Sequence, residues 1–526
     1  MAVADSHADE ALIHLAVCQR PAARIRGDVA VARFVIANRR AGRFSADAKV
    51  ASRFSVGVAL EGMSSARIVE DNEPEDPLAR RVVVVEADPV EVERERAAAG
   101  PDTIIEPEIL HHPLNVLPPD LIGAVPIGVI PAAIDNVTRI TVTGSGAGLA
   151  ACRVTVFFRG FGGTSSAEAI TDPQGRCDVP NPARAVVAGV LALPNGGFWP
   201  TLSRGAATAI DCVPLPTDGP LGWWHAATGI DAFDPALGSG VRVGVIDTGL
   251  GPHRCLQHAH GIGSFIDGVE DNGPGATDDS EGHGTHVAGT IGARPVGQGD
   301  YGGIAPGVDL FAARVFAPGK LASNADIANA IDALSRGHGV DLINMSLGAS
   351  TPSEVIHDAM LDALERGTLC VVAAGNEAGP VSYPAAFPEC VAVSALGLAG
   401  WAPPTSLSAT RLPQAADRFG RDNLFLASFS CFGPEIDCAA PGVGIIAPVY
   451  DPDGRSDALF AAMDGTSMAS PVACGIAAAL LSRQAGLATL PRDASRAALC
   501  RSLLTAGLQD VGLAPKYQGR GIAFLS

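Results

Sequence analysis

Three short stretches of the chain carry residue types that could perform nucleophilic catalysis. Ser467 lies in "DGTSMASPVACG", among small residues that let a backbone approach closely. Asp247 follows an apolar run in "VGVIDTG", and His283 stands between two glycines in "DDSEGHGTHVAGT". A serine hydroxyl becomes a good nucleophile when an imidazole takes its proton, and the imidazole needs a carboxylate to fix its tautomer. The three residues therefore indicate acyl-transfer chemistry.

Acyl transfer also requires hydrogen-bond donors for the oxyanion that forms. Ser467 is expected at the start of a helix, where its own N–H and the helix dipole would lie near the developing charge. Asn376, in "VVAAGNEAG", follows another apolar run, and its side-chain amide could supply a second donor. Alone, Ser467 could be a helix cap and Asn376 a turn residue. The presence of all four residue types favours the catalytic interpretation.

The elements that must position these residues follow from the hydrophobic pattern after residue 240. Near-continuous apolar runs, expected for strands covered on both faces, are "VRVGVID", "VDLFAARVF", "VDLINMSLG" and "TLCVVAAGN". Amphipathic segments that predict helices are "HGTHVAGTIGA", "NADIANAIDALSRG" and "SEVIHDAMLDALERG". The alternation predicts an α/β fold with a doubly wound, mostly parallel sheet, in which functional sites gather at the carboxyl ends of the strands.

Five motifs in one order carry a resemblance to a known family. "VIDTG", "GHGTHVAGT", "NMSLG", "AAGN" and "GTSMASPVACG" resemble the subtilisin-like serine peptidases (subtilases), over about residues 220–526. The resemblance implies a subtilisin-like fold and a serine endopeptidase acting on polypeptides. It implies that Asp247 orients His283, and that His283 acts as general base and then as general acid. It further implies that Ser467 is the nucleophile and that Asn376 binds the oxyanion.

The resemblance also implies two backbone edges that hold a substrate as an added β-strand. Their residues are Ser346, Leu347, Gly348, Ala373, Ala374 and Gly375. Many members of the family bind calcium through an aspartate a few residues beyond "DTG". In this chain that neighbourhood, "DTGLGPHRCL", carries His253 and Cys255, and the loop after the histidine helix lacks an obvious set of oxygen ligands. We therefore expect no cofactor, with calcium as the one alternative.

Other interpretations of the same residues are weaker. Asp247 in "DTG" could belong to an aspartic protease, but that chemistry needs two such carboxylates and the chain has one such motif. His283 and His286 could form a metal pair, but the glutamate and the spacing of a zincin are missing, so His286 is expected to be structural. Asp278 and Asp279 are expected to be solvated loop charges.

The bulk properties narrow the class of protein. A chain of 526 residues predicts two or three domains, and 47% apolar with 18% charged residues is a foldable composition. A net charge of −19 argues against a nucleic-acid partner. The first 27 residues lack a basic region followed by an apolar one, and "LIGAVPIGVIPAAI" is short and broken by prolines, so neither a secretory signal nor a membrane span is expected. With eleven cysteines and no close CxxC pair, a cytoplasmic location is expected.

The chain before the catalytic motifs contains two regions with different sequence patterns. Residues 1–115 predict an α+β region, propeptide-like or regulatory, because the strand–helix–strand pattern that ends in "DTIIEPEIL" resembles the second half of a subtilase propeptide. Residues 116–218 predict a small antiparallel β-sandwich-like domain, and residues 219–526 the catalytic domain. The strand-like runs of the sandwich are "RITVTGS", "CRVTVFF", "AVVAGVLAL" and "ATAIDCV".

Two hypotheses for the whole chain follow. In the first, it is a serine endopeptidase made as a zymogen. In the second, it is a gated sensor or scaffold, whose amino-terminal modules (residues 1–218) bind a regulatory protein and control a masked peptidase site. The sequence leaves open whether and where the amino-terminal region is cleaved.

Overall fold

A computed structural model describes residues 24–26, 29–40, 46–114, 137–160, 163–181, 185–279, 281–451, 454 and 456–526. The chain forms two compact units, Met1–Glu108 and Ile109–Ser526. The extreme amino terminus and the apolar stretch at 121–134, on which sequence predictions were made, lie outside the described residues. Of the helices in the described ranges, none combines the length and the apolar character needed to cross a bilayer.

The first unit is an antiparallel sheet covered by helices on one face. Its elements are β1 (Arg24–Arg26), β2 (Val29–Asn38), α1 (Ala46–Glu61), β3 (Arg67–Asp71), β4 (Val82–Ala87), α2 (Pro89–Ala98) and β5 (Thr103–Pro107). The strands lie in the order β3-β4-β2-β5, and β1 pairs with the start of β2. Val56 of α1 and Val92 of α2 pack into one cluster with Val83, Val85 and Ile105 of the sheet. This βαββαβ arrangement has the ferredoxin-like topology.

The second unit begins with a short strand and a small sandwich. The elements are β6 (Leu110–Pro113), β7 (Val137–Gly144), β8 (Ala147–Gly148), β9 (Arg153–Gly160), β10 (Gly163–Ile170), β11 (Arg176–Pro180), β12 (Val186–Leu193), β13 (Thr201–Arg204) and β14 (Ala209–Cys212). One sheet has the order β10-β9-β12-β13 and the other β11-β7-β14. Val154 and Val190 of the first sheet pack against Ile140 and Val142 of the second.

The predicted strands of this sandwich are present, but its pairing differs from the expectation in one place. Strand β14 runs parallel to β7, whereas the other strand pairs of the sandwich are antiparallel. The reason is that the chain reaches β14 from β13, which lies in the other sheet, and not through a hairpin with β7.

The rest of the second unit is an α/β domain around a mostly parallel sheet. Its elements are α3 (Trp223–Ala227), β15 (Arg242–Asp247), β16 (His260–Ile266), β17 (Val269–Asp271), α4 (His283–Gly292), β18 (Asp309–Arg314), β19 (Ala322–Ser323), α5 (Asn324–Asp332), β20 (Leu342–Met345), β21 (Leu347–Gly348), α6 (Glu354–Glu365), β22 (Leu369–Ala373), β23 (Val391–Leu398), β24 (Leu424–Leu426), β25 (Cys438–Pro441), β26 (Ile445–Pro448), β27 (Phe460–Met463), α7 (Thr466–Ser482), α8 (Ala494–Gly507) and α9 (Pro515–Gln518).

The strands of the large sheet lie in the order β17-β16-β18-β15-β20-β22-β23-β24, and β25 also pairs with β23. The four apolar runs predicted as strands are β15, β18, β20 and β22, and neighbours among them pair in parallel, as predicted. Helix α7 is buried from Thr466 to Leu481, which a helix that is apolar all round requires. Asp247 thus lies at the carboxyl end of β15, His283 at the start of α4, Asn376 shortly after β22 and Ser467 in the first turn of α7.

The cysteines in the described part of the chain are all buried and unpaired. Burial raises the pKa of the Cys370 thiol, in β22, to about 12. A thiol with so high a pKa is a poor nucleophile, and these residues pack as small hydrophobic groups, as expected from the apolar runs around them.

Candidate active site

Asp247 and His283 form a buried pair at the end of β15 and the start of α4. His283 Nδ1 lies 2.7 Å from Asp247 Oδ1, and both side chains are 1% exposed. Because a carboxylate only accepts, Nδ1 must be the donor, which leaves Nε2 with a free lone pair. The same carboxylate oxygen accepts the N–H of Thr248 at 2.7 Å, which holds it in place. Within the described residues, His283 Nε2 has no hydrogen-bond partner, so it is available to take a proton.

The electrostatics of this pair favour a basic imidazole. Burial is the largest single influence and disfavours the imidazolium form of His283, but the charge and the hydrogen bond of Asp247 oppose it. The negative charges of Asp279 and Glu281 act in the same direction. The pKa of His283 is therefore raised above its ordinary value, as a general base requires.

Asp279 is buried, contrary to the prediction that it is a solvated loop charge. Its Oδ2 accepts the N–H and the hydroxyl of Thr285, and its Oδ1 accepts the N–H of Gly282 and the hydroxyl of Thr248. The carboxylate thus satisfies free N–H groups at the start of α4 and ties that helix to the residue after Asp247. Asp278, in contrast, is exposed as predicted.

Ser467 lies in the first turn of α7 and is fully buried. Its hydroxyl donates to the carbonyl oxygen of Leu114 at 2.9 Å and lies 3.3 Å from that of Ser346. Pro471 lacks the N–H that would bond to the carbonyl of Ser467 within the helix. The hydroxyl of Ser346 donates to that carbonyl instead, at 3.0 Å. The nucleophile's backbone is therefore held from the neighbouring strand and not only by its own helix.

Asn376, in the loop after β22, is aimed at the same carbonyl as Ser467. Its Oδ1 accepts the N–H of Thr466 at 3.0 Å and the hydroxyl of Thr466 at 2.9 Å. With its oxygen fixed on these two donors, its Nδ2 donates to the carbonyl oxygen of Leu114 at 2.5 Å. The predicted nucleophile and the predicted oxyanion donor thus converge on one backbone carbonyl.

That carbonyl belongs to the residue directly after β6, and β6 lies in a groove between β19 and β21. The pairing is antiparallel on both sides, with His111 opposite Ala322 and His112 opposite Gly348. The N–H of Leu114 donates to the carbonyl of Ser346 at 3.1 Å. The edge predicted to hold a substrate strand, Ser346–Gly348, therefore holds a strand of this chain.

The opposite edge of the groove was not found by sequence reasoning. Asn324 donates its backbone N–H to the carbonyl of Ile109 at 2.9 Å, and its Oδ1 accepts the N–H of Ile109 at 3.1 Å. Strand β19, directly before Asn324, is only two residues long, too short for any periodic pattern. The sequence prediction also assigned residues up to 115 to the amino-terminal region, whereas Ile109 onward belongs to the second unit.

The other predicted edge, Ala373–Gly375, is engaged elsewhere. The carbonyl of Ala374 accepts the N–H and the hydroxyl of Ser382, at 2.9 and 3.0 Å. The N–H of Gly375 donates to the hydroxyl of Thr466 at 3.2 Å. Among the described residues, β6 pairs with β19 and not with this segment, whose backbone groups bond to Ser382, Thr466 and Cys431.

The side chain of Leu114 occupies a pocket that depends on glycine. A Cβ atom on Gly348 would lie 3.4 Å from Leu114 Cδ1 and 2.7 Å from the hydroxyl oxygen of Ser382. A Cβ atom on Gly375 would lie 2.8 Å from the sulfur of Cys431. Glycine at 348 therefore leaves room for the Leu114 side chain, and glycine at 375 lets the chain pass close to Cys431.

The residues considered as metal ligands have other partners. The described part of the chain holds no group of three His, Cys, Asp or Glu side chains placed to bind a metal ion. Near the "DTG" motif, Cys255 donates to Asp300 at 3.3 Å, and Asp300 also pairs with Arg254. His286, expected to be structural, donates from Nε2 to backbone carbonyls at 3.0 and 3.2 Å, and burial lowers its pKa to about 3.

Comparison with known proteins agrees with this geometry. The model of the subtilase family matches residues 238–521, which include the elements that carry Asp247, His283, Asn376 and Ser467. The chain belongs to the subtilase family.

Curated relatives give the same family. The chain is 35% identical over 242 residues to M-protease of Shouchella clausii (strain KSM-K16) and to subtilisin Savinase of Lederbergia lenta. It is 36% identical over 242 residues to alkaline elastase YaB of Bacillus sp. (strain YaB). Each alignment covers 46% of this chain. The alignments span about half the length of M-protease and of the elastase (54% each), and 76% of Savinase.

Proposed function

We propose that this protein is a serine endopeptidase that hydrolyses peptide bonds through an acyl-enzyme on Ser467. The observation that carries the proposal is the convergence of the Ser467 hydroxyl and the Asn376 amide on the carbonyl of Leu114. The buried pair of His283 and Asp247 supplies the base that the reaction needs. Membership of the subtilase family, and relatives named as proteases and subtilisins, support the same reaction.

The proposed chemistry assigns one step to each of these residues. Ser467 Oγ attacks the carbonyl carbon, and its proton passes to His283 Nε2, while Asp247 stabilises the imidazolium. The negative charge that develops on the carbonyl oxygen is held by Asn376 Nδ2. His283 then gives its proton to the leaving amine nitrogen, which breaks the peptide bond and leaves an ester on Ser467. A water molecule, activated by His283, hydrolyses that ester and restores the serine.

We further propose that the protein is a zymogen and that its own Leu114–Asn115 bond is its first substrate. Strand β6 lies in the groove as a substrate would, with the Leu114 carbonyl at the reactive position. Cleavage there would separate residues 1–114 from residues 115–526. The sandwich would remain with the catalytic domain, because both follow the bond.

The second candidate is a gated sensor with a masked peptidase site, in which β6 would act as the mask. A strand that fills the groove excludes other polypeptides for as long as it stays there. The two candidates differ in one respect: a zymogen cuts the strand at Leu114, whereas a sensor keeps it intact until a partner removes it.

A peptide assay on the full chain tests the proposed reaction. A p-nitroanilide of the sequence His-His-Pro-Leu reproduces the residues before the proposed bond, and Ser467→Ala is the matched control. We expect hydrolysis and a covalent fluorophosphonate adduct with the wild type, and neither with the variant. Equal hydrolysis by the two proteins would contradict the proposal. The same assay with EDTA tests the expectation that calcium is not required, since loss of activity on chelation would reveal a metal site.

A further inference from the structure

The sandwich is joined to the catalytic domain through the long loop between β23 and β24, residues 399–423. The N–H of Leu202, in β13, donates to the carbonyl of Thr405 at 3.1 Å, and the N–H of Leu407 donates to the carbonyl of Pro200 at 2.7 Å. The backbone of the loop thus continues the sandwich sheet for a few residues. The side chain of Leu407 completes an apolar cluster on the outer face of that sheet, formed with Phe157, Ala188, Leu191 and Leu202.

An aromatic contact supports the same junction. The rings of Trp199, before β13, and Trp401, in the loop, lie edge to face with centroids 6.1 Å apart. Trp401 Nε1 donates to the carbonyl of Gly444 at 3.0 Å. Gly444 directly precedes β26, so the junction reaches the hairpin of β26 and β27, which leads to α7.

The middle of the loop contacts Asp464, which lies three residues before Ser467. Asp464 Oδ1 accepts the hydroxyl of Ser408 at 2.7 Å and the N–H of Gly444 at 2.8 Å. Asp464 Oδ2 pairs with Arg411 Nε at 3.0 Å, and the two side chains are 4% and 7% exposed. A buried charge pair this well bonded fixes the position of both partners, and removing one partner of such a pair is strongly destabilising.

The backbone after Asp464 has little freedom to move. The N–H of Gly465 donates to the carbonyl of Gly442 at 2.8 Å. A Cβ atom on Gly442 would lie only 2.7 Å from the carbonyl oxygen of Gly465, so the two segments are packed backbone against backbone. A displacement of Asp464 would therefore be passed to Thr466 and Ser467 and not absorbed between them.

We propose that Ser408, Arg411 and Asp464 are positioning residues through which the sandwich fixes the nucleophile. The sandwich sheet binds residues 405–407 of the loop. The next turn of the loop binds Asp464, and Asp464 fixes the backbone at the start of α7. The proposal rests on the proposed function of Ser467. If Ser408, Arg411 and Asp464 act in this way, the sandwich must stay attached to the catalytic domain for full activity.

Steady-state kinetics of the full chain on the peptide p-nitroanilide test this assignment. Displacing a reacting group by about 1 Å can cost on the order of 10²-fold in rate, so we expect Asp464→Asn to lower kcat by about that factor. We expect KM to change by less than about twofold, because the substrate edges are untouched. The double variant R411Q/D464N removes both charges and allows a neutral hydrogen bond, and it should recover kcat to within about tenfold of the wild type.

A second pair of variants tests the link to the sandwich itself. Leu407→Ala removes the loop's apolar anchor, whereas Val156→Ala removes a buried side chain from the neighbouring core of the sandwich, on the same strand as Phe157. We expect Leu407→Ala to lower kcat at unchanged KM, and Val156→Ala to lower only the unfolding temperature. Wild-type kcat in Asp464→Asn, or equal kcat in the Leu407 and Val156 variants, would overturn the proposal. If Asp464→Asn does not fold, the Leu407 and Val156 pair decides the question. An inactive wild type would instead contradict the proposed function.

Discussion

At the scale of single residues, the orientation of Asn376 is the most specific feature of the site. Its amide cannot rotate freely, because Thr466 supplies two donors to Oδ1. The amide nitrogen is therefore directed at the reacting carbonyl before any charge has developed there. Such preorganised donors stabilise a transition state more than a ground state.

The Asn376→Ala variant should therefore lose turnover and not binding. Removal of one oxyanion donor typically costs about 10²–10³ in kcat, and we expect a loss of this size with little change in KM. The measurement is the steady-state hydrolysis of the peptide p-nitroanilide. An unchanged kcat would mean that Asn376 does not face the oxyanion during the reaction.

The pH dependence of activity should report the pair of His283 and Asp247. His283 acts as a base only when neutral, and Asp247 raises its pKa, so kcat/KM should fall on the acid side with an apparent pKa above 6.5. In Asp247→Asn the carboxylate charge no longer opposes burial, which lowers the pKa of His283. The acid limb of the pH profile should therefore move to lower pH, and the maximum rate should fall. The exposed Asp278→Asn is the control and should leave the limb in place. An identical acid limb in the Asp247 variant would contradict this assignment.

The single-residue predictions from sequence rested on motif and order. The structure pairs Asp247 with His283, and it brings the Ser467 hydroxyl and the Asn376 amide to the carbonyl of Leu114. Asp279 was misassigned for a physical reason. A carboxylate before a helix can face solvent or turn back onto the first free N–H groups, and the sequence is the same in both cases. Burial by the neighbouring "DTG" turn decides between them, and burial is a tertiary property.

At the scale of elements, β6 is the decisive strand, and it could not be predicted. It is four residues long and ends in proline, and its partners on either side are two residues each. Strand signals need a longer run, so four strands of the large sheet (β15, β18, β20 and β22) were predicted while β6 and β19 were not. The parallel pairing of β14 was missed because local sequence does not show which sheet a strand joins.

Acidification should weaken the binding of β6 in its groove, because His111 becomes protonated. This side chain is fully buried in the groove, and burial lowers its pKa from 6.5 to about 4. The seated strand therefore prefers neutral His111, a preference that is satisfied above pH 6.5 and is lost progressively as the pH falls from 6.5 towards 4. At pH 5 the equilibrium constant for the binding of β6 in the groove should be lower by roughly 30-fold.

Hydrogen exchange of the Ser467→Ala chain measures this effect without cleavage. Amides of β6 and β19, corrected for intrinsic rates, should lose protection between pH 7.5 and pH 5. His111→Gln should remove the pH dependence, and the same change at the exposed His112 should retain it. Equal pH dependence in the His111 variant would assign the effect to another group.

At the scale of the whole molecule, residues 109–526 form one compact unit that contains both the sandwich and the catalytic domain. The proposed cut after Leu114 falls near the start of this unit, beyond the ferredoxin-like unit before it. The sequence left open whether the amino-terminal region is removed as one piece. The proposed cut after residue 114 would leave the sandwich attached to the catalytic domain.

The most direct test of the account is the intact mass of the purified full chain, compared between wild type and Ser467→Ala. We predict that the wild type yields two products, one ending at Leu114 and one beginning at Asn115. The variant should keep all 526 residues. A wild type that hydrolyses the peptide but stays uncut would contradict the zymogen and favour the gated sensor. A variant that is cut at the same bond would contradict the central claim, that Ser467 is the nucleophile of a peptidase that processes its own chain.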